Sequence, residues 1–292
     1  MHIPVLLKEV LAVLDPQPGE CVVDGTLGTG GHARAFIKHV GNADKFIGID
    51  WNPNAVRKAQ KEIQTDGGKI VQGNYADIPD ILIREKMEKP DVLLLDLGLS
   101  SDELETSGLG FSFQKDEPLD MRYDPTSTMP TAADVINQIE MPEMEQILRK
   151  YGEERYAGRI ARVIIETRRK AHIVRTSELV ACVRNAVPGW GQHVRRNPAT
   201  RTFQALRIYV NHELENLERS LAWIPAVMQK GGRVGIITFH SLEDRMVKNY
   251  FRNFQKNKLA ELLTKKPIVP SREEQLKNPR SRSAKLRAIK II

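Results

Sequence analysis

The chain has 292 residues, 41% hydrophobic and 28% charged, with a formal net charge of +7. That length supports one large domain or two ordinary ones around a buried core, and the composition excludes a disordered or fibrous chain. Two cysteines, Cys21 and Cys182, exclude a disulfide scaffold, no C-x-x-C or Cys/His cluster points to a metal, and no apolar run reaches the ~18 residues of a membrane span.

In chain order, MHIPVLLKEVLAVLD carries Lys8, Glu9 and Asp15 inside an apolar pattern. It reads as an amphipathic helix and not as a signal peptide, so a soluble, cytoplasmic protein of a reducing compartment is expected. Strand-like runs follow at 21–24, 45–50, 69–72 and 91–97, separated by helical stretches at 32–40, 53–64 and 80–88. This alternation predicts an α/β fold with a doubly wound, mostly parallel sheet and helices on both faces. From 101 to about 199 no strand pattern occurs, and helical stretches lie near 131–139, 142–150, 153–170 and 176–186. A long helix is expected over 202–227, after which a strand returns at 233–239. The predicted organisation is a discontinuous core, 1–100 with 200–292, interrupted by a helical insertion at 101–199. The tail from Lys265 reads as extended and docked rather than independently folded.

The charge is uneven. Residues 265–292 hold nine basic and two acidic residues, and 149–201 hold thirteen and four, whereas 101–148 hold two and eleven. Two readings stay open from charge alone: a polyanion partner such as nucleic acid, or a solvated helix face plus a loose tail.

The strongest local signal is VVDGTLGTGGH, residues 22–32. A strand ends in Asp24, and Gly25, Gly28, Gly30 and Gly31 open a helix whose N-terminus presents free N–H groups. Asp50 ends the next strand, where α/β folds place the carboxylate that accepts hydrogen bonds from ribose hydroxyls. The pair points to a nucleoside-containing cofactor. Asp24 would repel a pyrophosphate but suits the cationic end of S-adenosylmethionine; a ligand-free tight turn is the plain alternative. Asp96, ending the strand at 92–96 before DLGLSS, faces the same crevice and could accept hydrogen bonds from a substrate amine, or simply cap the following loop.

The strings HIPVLLKEV, DGTLGTGGH, DLGLSS, GFSF, PLDMR, YGEERYAGRIA, NPATRTFQALRIYVNHELE, GGRVGIITFHSLEDRMVK and NPRSRSAKLR occur in this order. Together they resemble the bacterial ribosomal RNA small-subunit methyltransferase H (RsmH, or MraW) family. The resemblance implies a Rossmann-like S-adenosylmethionine-dependent methyltransferase core split by a helical substrate-recognition insertion. It implies methylation of the N4 exocyclic amine of one cytidine in 16S rRNA near the decoding site, with a small ribosomal subunit particle as the expected partner, no membrane, and a homodimer compatible with the sequence. Carried over by position, the cofactor residues fall on Gly30, Gly31, His32, Asp50, Tyr75, Asp96 and Glu103, to which the loop reading adds Asp24 and Gly28. Departures from the family pattern are Glu103 for Gln, Tyr75 for Phe, Asn52 for Asp and Leu109 for Arg.

An exocyclic cytosine amine is a poor nucleophile because its lone pair is delocalised, so a hydrogen-bond acceptor that encourages pyramidal geometry helps. Asp96 is the first choice for that role, His240 and Ser241 the second, with Asp120 of PLDMR behind them; for His240 a structural role is the competing reading. Phe111, Phe113, Phe203 and Phe239 are aromatic enough to stack on a displaced base and are equally core residues. Phosphate contacts are expected from Arg195, Arg196, Arg201, Arg280, Arg282, Lys285 and Arg287. Arg155, Arg159 and Arg162 read as solvated or paired with Glu153, Glu154 and Glu166. Rival classes are a nucleotide-dependent dehydrogenase, which Asp24 disfavours, a non-enzymatic RNA-binding module, and a DNA or protein methyltransferase, whose Asp/Asn-Pro-Pro-aromatic motif DLGLSS lacks.

Overall fold

A computed structural model describes residues 4–63, 68–99, 107–188 and 197–292. The apolar runs ending in glycine or an acidic residue become β1 (Val22–Asp24), β2 (Phe46–Asp50) and β4 (Val92–Asp96), each buried almost throughout. Strands covered by helices on both faces must be apolar on both, which is why these read as continuous and not alternating runs. β3 (Lys69–Gln72), at the sheet edge, is more exposed. With β5 (Arg233–Thr238), β6 (Ala260–Leu262) and β7 (Lys285–Ile291), the described strands form one seven-stranded sheet in the order β3-β2-β1-β4-β5-β7-β6. All neighbours from β3 to β5 are parallel, and β7 runs antiparallel between β5 and β6.

Alternation along each strand divides the core into two layers. Val22, Phe46, Val92 and Leu94 pack with Val10 and Leu14 of α1 (Leu7–Leu14), Ala33 and Phe36 of α2 (Gly31–Val40), and Val56 and Ile63 of α3 (Pro53–Ile63). Val23, Ile47, Ile49, Leu93 and Leu95 pack on the other face with α4 (Ile78–Arg84), with Leu217 and Leu221 of α10 (Glu213–Val227), and with Val247 and Phe251 of α11 (Ser241–Lys256). The expected doubly wound sheet is therefore present.

The chain divides into two compact units, 1–98 with 214–292, and 99–213. The second is helical: α5 (Ala132–Gln138), α6 (Met141–Gly152), α7 (Ala157–Arg168), α8 (Thr176–Ala186) and α9 (Ala199–Asn211). Thr131 and Asp134 cap α5 reciprocally, the Ser/Thr-x-x-acid signature of a helix start.

Three expectations change. The single helix over 202–227 is two, because His212 takes a left-handed conformation (φ 50°) that ends α9 before α10 begins. The insertion consequently runs past 199 to include α9, which packs on α6. The helix expected over 153–170 starts later, at Ala157, because Glu153 (φ 47°) is taken up in ending α6. The tail, expected as extended and docked, is an extended strand taken up by the sheet. After α12 (Arg272–Lys277), capped by Ser271, β7 inserts inside the sheet with Leu286, Ala288 and Ile289 fully buried. Among the described residues, no helix is long and apolar enough to cross a membrane.

Candidate active site

The glycine loop is held across the carboxyl ends of three strands. Gly25 N–H donates to Leu94 O at 2.9 Å and Leu27 N–H to Ile49 O at 2.8 Å. Gly30 starts α2 in a left-handed conformation (φ 74°), and a Cβ there would lie 2.3 Å from Ile63 Cδ1. A Cβ on Gly31 would lie 2.4 Å from Pro4 Cγ, so Pro4 packs against the start of α2. Glycine is thus required here by the chain's own packing as well as by any ligand, a second reason that the motif alone does not reveal.

Three carboxylates end β1, β2 and β4. Asp50 secures the loop: Gly28 N–H donates to its Oδ2 at 2.7 Å and Asn52 N–H to its Oδ1 at 2.8 Å. Asp24 is buried, accepting from Thr26 N–H at 3.1 Å. Burial pushes its carboxyl up from 3.8 to about 6, the Asp96 charge adds to this, and His32 and the Thr26 hydrogen bonds oppose it. Asp96 is tied to the loop, its N–H donating to Thr26 Oγ1 at 2.6 Å. Its Oδ2 lies 3.5 Å from His32 Nε2. His32 is only 7% exposed, yet neither ring nitrogen has a hydrogen-bond partner among the described residues. Tyr75 flanks the loop, its Cβ 3.3 Å from where a Gly25 side chain would begin.

This constellation fits S-adenosylmethionine. The orphaned nitrogens of a buried histidine need a ligand atom, because an unpaired buried polar group costs roughly 1–3 kcal/mol. The clustered carboxylates suit a ligand carrying hydroxyl donors and positive charge, and disfavour a pyrophosphate.

His240 and Ser241 lie just beyond β5, three and four residues after Ile237, the partner of Asp96 in the sheet register. His240 caps α11. Its Nδ1 accepts from Glu243 N–H at 3.4 Å, its Nε2 is 3.0 Å from Glu243 Oε1, and Glu243 Oε2 accepts from Phe239 N–H at 2.8 Å. The ring is therefore engaged in holding a helix start, and Ser241 occupies the exposed first helical position. Glu243, buried at 2% exposure, went unremarked in the sequence reading; the signal was the acid three residues after the capping position.

The remaining positions separate. Glu103, Arg195 and Arg196 lie outside the described residues. Arg282 is exposed and Arg280 half-buried. In the helical unit Arg201 is exposed and donates to Glu153 O at 3.1 Å. Lys285 and Arg287 differ from the expectation of phosphate ligands: they hold Asp244 at 3.0 and 2.7 Å, and Arg287 is 8% exposed. The reason is β7 itself, whose insertion into the sheet turns Arg287 into the fold. Asp120 is committed to Arg122, which binds both its carboxylate oxygens at 2.7 and 2.8 Å. Phe111 is buried and stacked on Tyr123 at 5.6 Å, Phe203 is buried against the edge of Phe113, and Phe239 lies against Gly98.

Known proteins place this geometry in a family. The chain is 43% identical to the ribosomal RNA small subunit methyltransferase H of Syntrophus aciditrophicus, covering 100% of this chain and 98% of that protein. Proteins of the same name from Syntrophotalea carbinolica and Thermotoga neapolitana are each 44% identical, over 99% and 100% of this chain and 97% and 96% of theirs. The model of the MraW methylase family matches residues 1–292, and with a glycine loop, three strand-end carboxylates and a split parallel sheet in place, the chain belongs to the MraW methylase family.

Proposed function

We propose that this methyltransferase uses S-adenosylmethionine to methylate the N4 amine of one cytidine in small-subunit ribosomal RNA, near the decoding site and within a small-subunit particle. The observation that carries the reading is the buried, unpartnered His32 set beside Asp96 and Asp24 at the mouth of the glycine loop. The names of the curated relatives supply the RNA class.

Bound there, S-adenosylmethionine supplies a methyl group already activated by its sulfonium. Asp50, at the end of β2, would hold the ribose hydroxyls, and ionised Asp24 would meet the positive charge. His32 donates or accepts through the nitrogens left open by the fold. Asp96 accepts a hydrogen bond from the target amine, encouraging pyramidal geometry and lining nitrogen up with the methyl group, the kind of positioning that removes much of a bimolecular barrier. The helical unit serves substrate recognition.

The test is methyl transfer from labelled S-adenosylmethionine into purified small-subunit particles and into deproteinised small-subunit rRNA, with the product nucleoside identified. N4-methylated cytidine is expected; label in another nucleoside, or in DNA or protein only, overturns the reading.

A further inference from the structure

Arg155, Arg159 and Arg162 sit at i, i+4 and i+7 around the start of α7, all three exposed. The acidic residues expected to pair with them form no ion pair with them among the described residues. Glu154 is buried and accepts from Tyr156 N–H at 2.9 Å. Among the described residues none of the three arginine side chains makes an ion pair or a hydrogen bond to protein. Two of them lie instead over one ring: the guanidinium carbons of Arg155 and Arg159 are 5.7 and 5.9 Å from the centroid of half-buried Tyr156. Glu145, the nearby carboxylate beside Gly158, is already paired with Arg149 at 2.7 Å. Glu166 is exposed further along α7.

We infer that this face of the helical unit is a docking surface for a single-stranded segment of ribosomal RNA. The inference rests on the rRNA reading above and names the surface that serves it. An acidic protein would be met by cations alone. Guanidinium groups gathered about a tyrosine add flat groups on which unpaired bases stack, while their N–H groups bind the intervening phosphates. Its cations are unpaired among the described residues, unlike Lys285 and Arg287 of the carboxyl-terminal strand, which are bound to Asp244.

The test measures binding of full-length protein to deproteinised small-subunit rRNA across a salt titration, with S-adenosylmethionine affinity and Tm as controls. In the triple variant R155Q/R159Q/R162Q the logarithmic salt slope should fall by about 2, roughly 0.7 for each single-strand phosphate contact, and affinity at physiological salt by at least about tenfold. Tyr156→Leu should weaken binding about tenfold with the slope unchanged, and Tyr156→Phe should restore it. A charge-matched control, R252Q/K256Q/K258Q on exposed positions of α11 and just beyond it, should change little. A triple variant indistinguishable from wild type, or a control that loses as much, overturns the surface. Wild-type protein that binds no rRNA overturns the rRNA reading and the surface together, so the two failures are told apart.

Discussion

Two basic regions of this protein look alike as sequence and behave differently as structure. In the carboxyl-terminal strand, Lys285 and Arg287 are taken up by Asp244, and Arg287 is buried with the strand. At the start of α7, Arg155, Arg159 and Arg162 are exposed, and two of them frame an aromatic ring. Net charge counts both regions equally, but only a charge the fold leaves unpaired can attract a polyanion. The same contrast runs through the carboxylates: Asp120 is neutralised by Arg122, whereas Asp24 and Asp96 share one histidine that has no hydrogen-bond partner in the described fold.

The sharpest way to break the comparison is Arg287→Ala. It leaves Asp244 to Lys285 and empties the buried place of Arg287, and should cost about 3 kcal/mol of stability, the scale of a broken buried pair. Arg155→Ala, on the surface, should change stability by less than about 0.5 kcal/mol. Chemical denaturation checks both. The Asp244 carboxyl illustrates the same point in pH: burial pushes it up, but Arg287 and Lys285 outweigh this and hold it below the usual carboxylate range. Its contribution to stability is therefore present above that range and lost as pH falls through the lowered value.

Next in size, Asp96→Asn should slow methyl transfer about a hundredfold while rRNA affinity and Tm hold, which single-turnover kinetics would register. Equal losses in rate and RNA affinity would place Asp96 on the binding surface instead. Asp50→Ala removes the acceptor for the Gly28 and Asn52 amides, so cofactor affinity should drop by about 1.5–3 kcal/mol, read by calorimetry.

Asp24 gives a pH test. The folded protein holds its proton to about pH 6, above the ordinary 3.8. The native state thus binds more protons than the unfolded chain between these values, and stability declines as pH rises through that window. A cationic ligand favours the ionised form, so S-adenosylmethionine affinity should fall by up to about tenfold per unit below pH 6. Asp24→Asn should flatten both dependences. The smallest effect belongs to exposed Arg282. Arg282→Gln should reduce the rRNA salt slope by about 0.7 with no change in Tm, the reverse of Arg287→Ala.

Local pattern carried the core a long way. Apolar runs ending in Asp24, Asp50 and Asp96 marked β1, β2 and β4, and four glycines within seven positions marked the turn between β1 and α2. The places where pattern failed differ in cause. Helical periodicity runs through His212 without a glycine or proline to signal a stop, yet His212 adopts left-handed backbone and ends α9; at Glu153, which ends α6 in the same way, the preceding Gly152 is the local signal. Local propensity cannot register a demand made by distant neighbours. His240 is a different case: the sequence leaves both chemistry and a structural role open for it, and Glu243, three residues on, is the local signal of the helix cap.

From the sequence alone came the class of the fold, the strand-end carboxylates and the glycine loop, since each depends on residues adjacent in the chain, where period, turn chemistry and spacing act directly. Tertiary structure alone decided which charges remain for partners. Asp244 meets Arg287 across 43 residues, Glu274 holds the Leu6 amide across 268, and Pro4 dictates glycine at position 31. Such pairings are long-range because the sheet brings remote strands and helices together, and the free energy of a charge depends on what surrounds it there, not on its place in the chain.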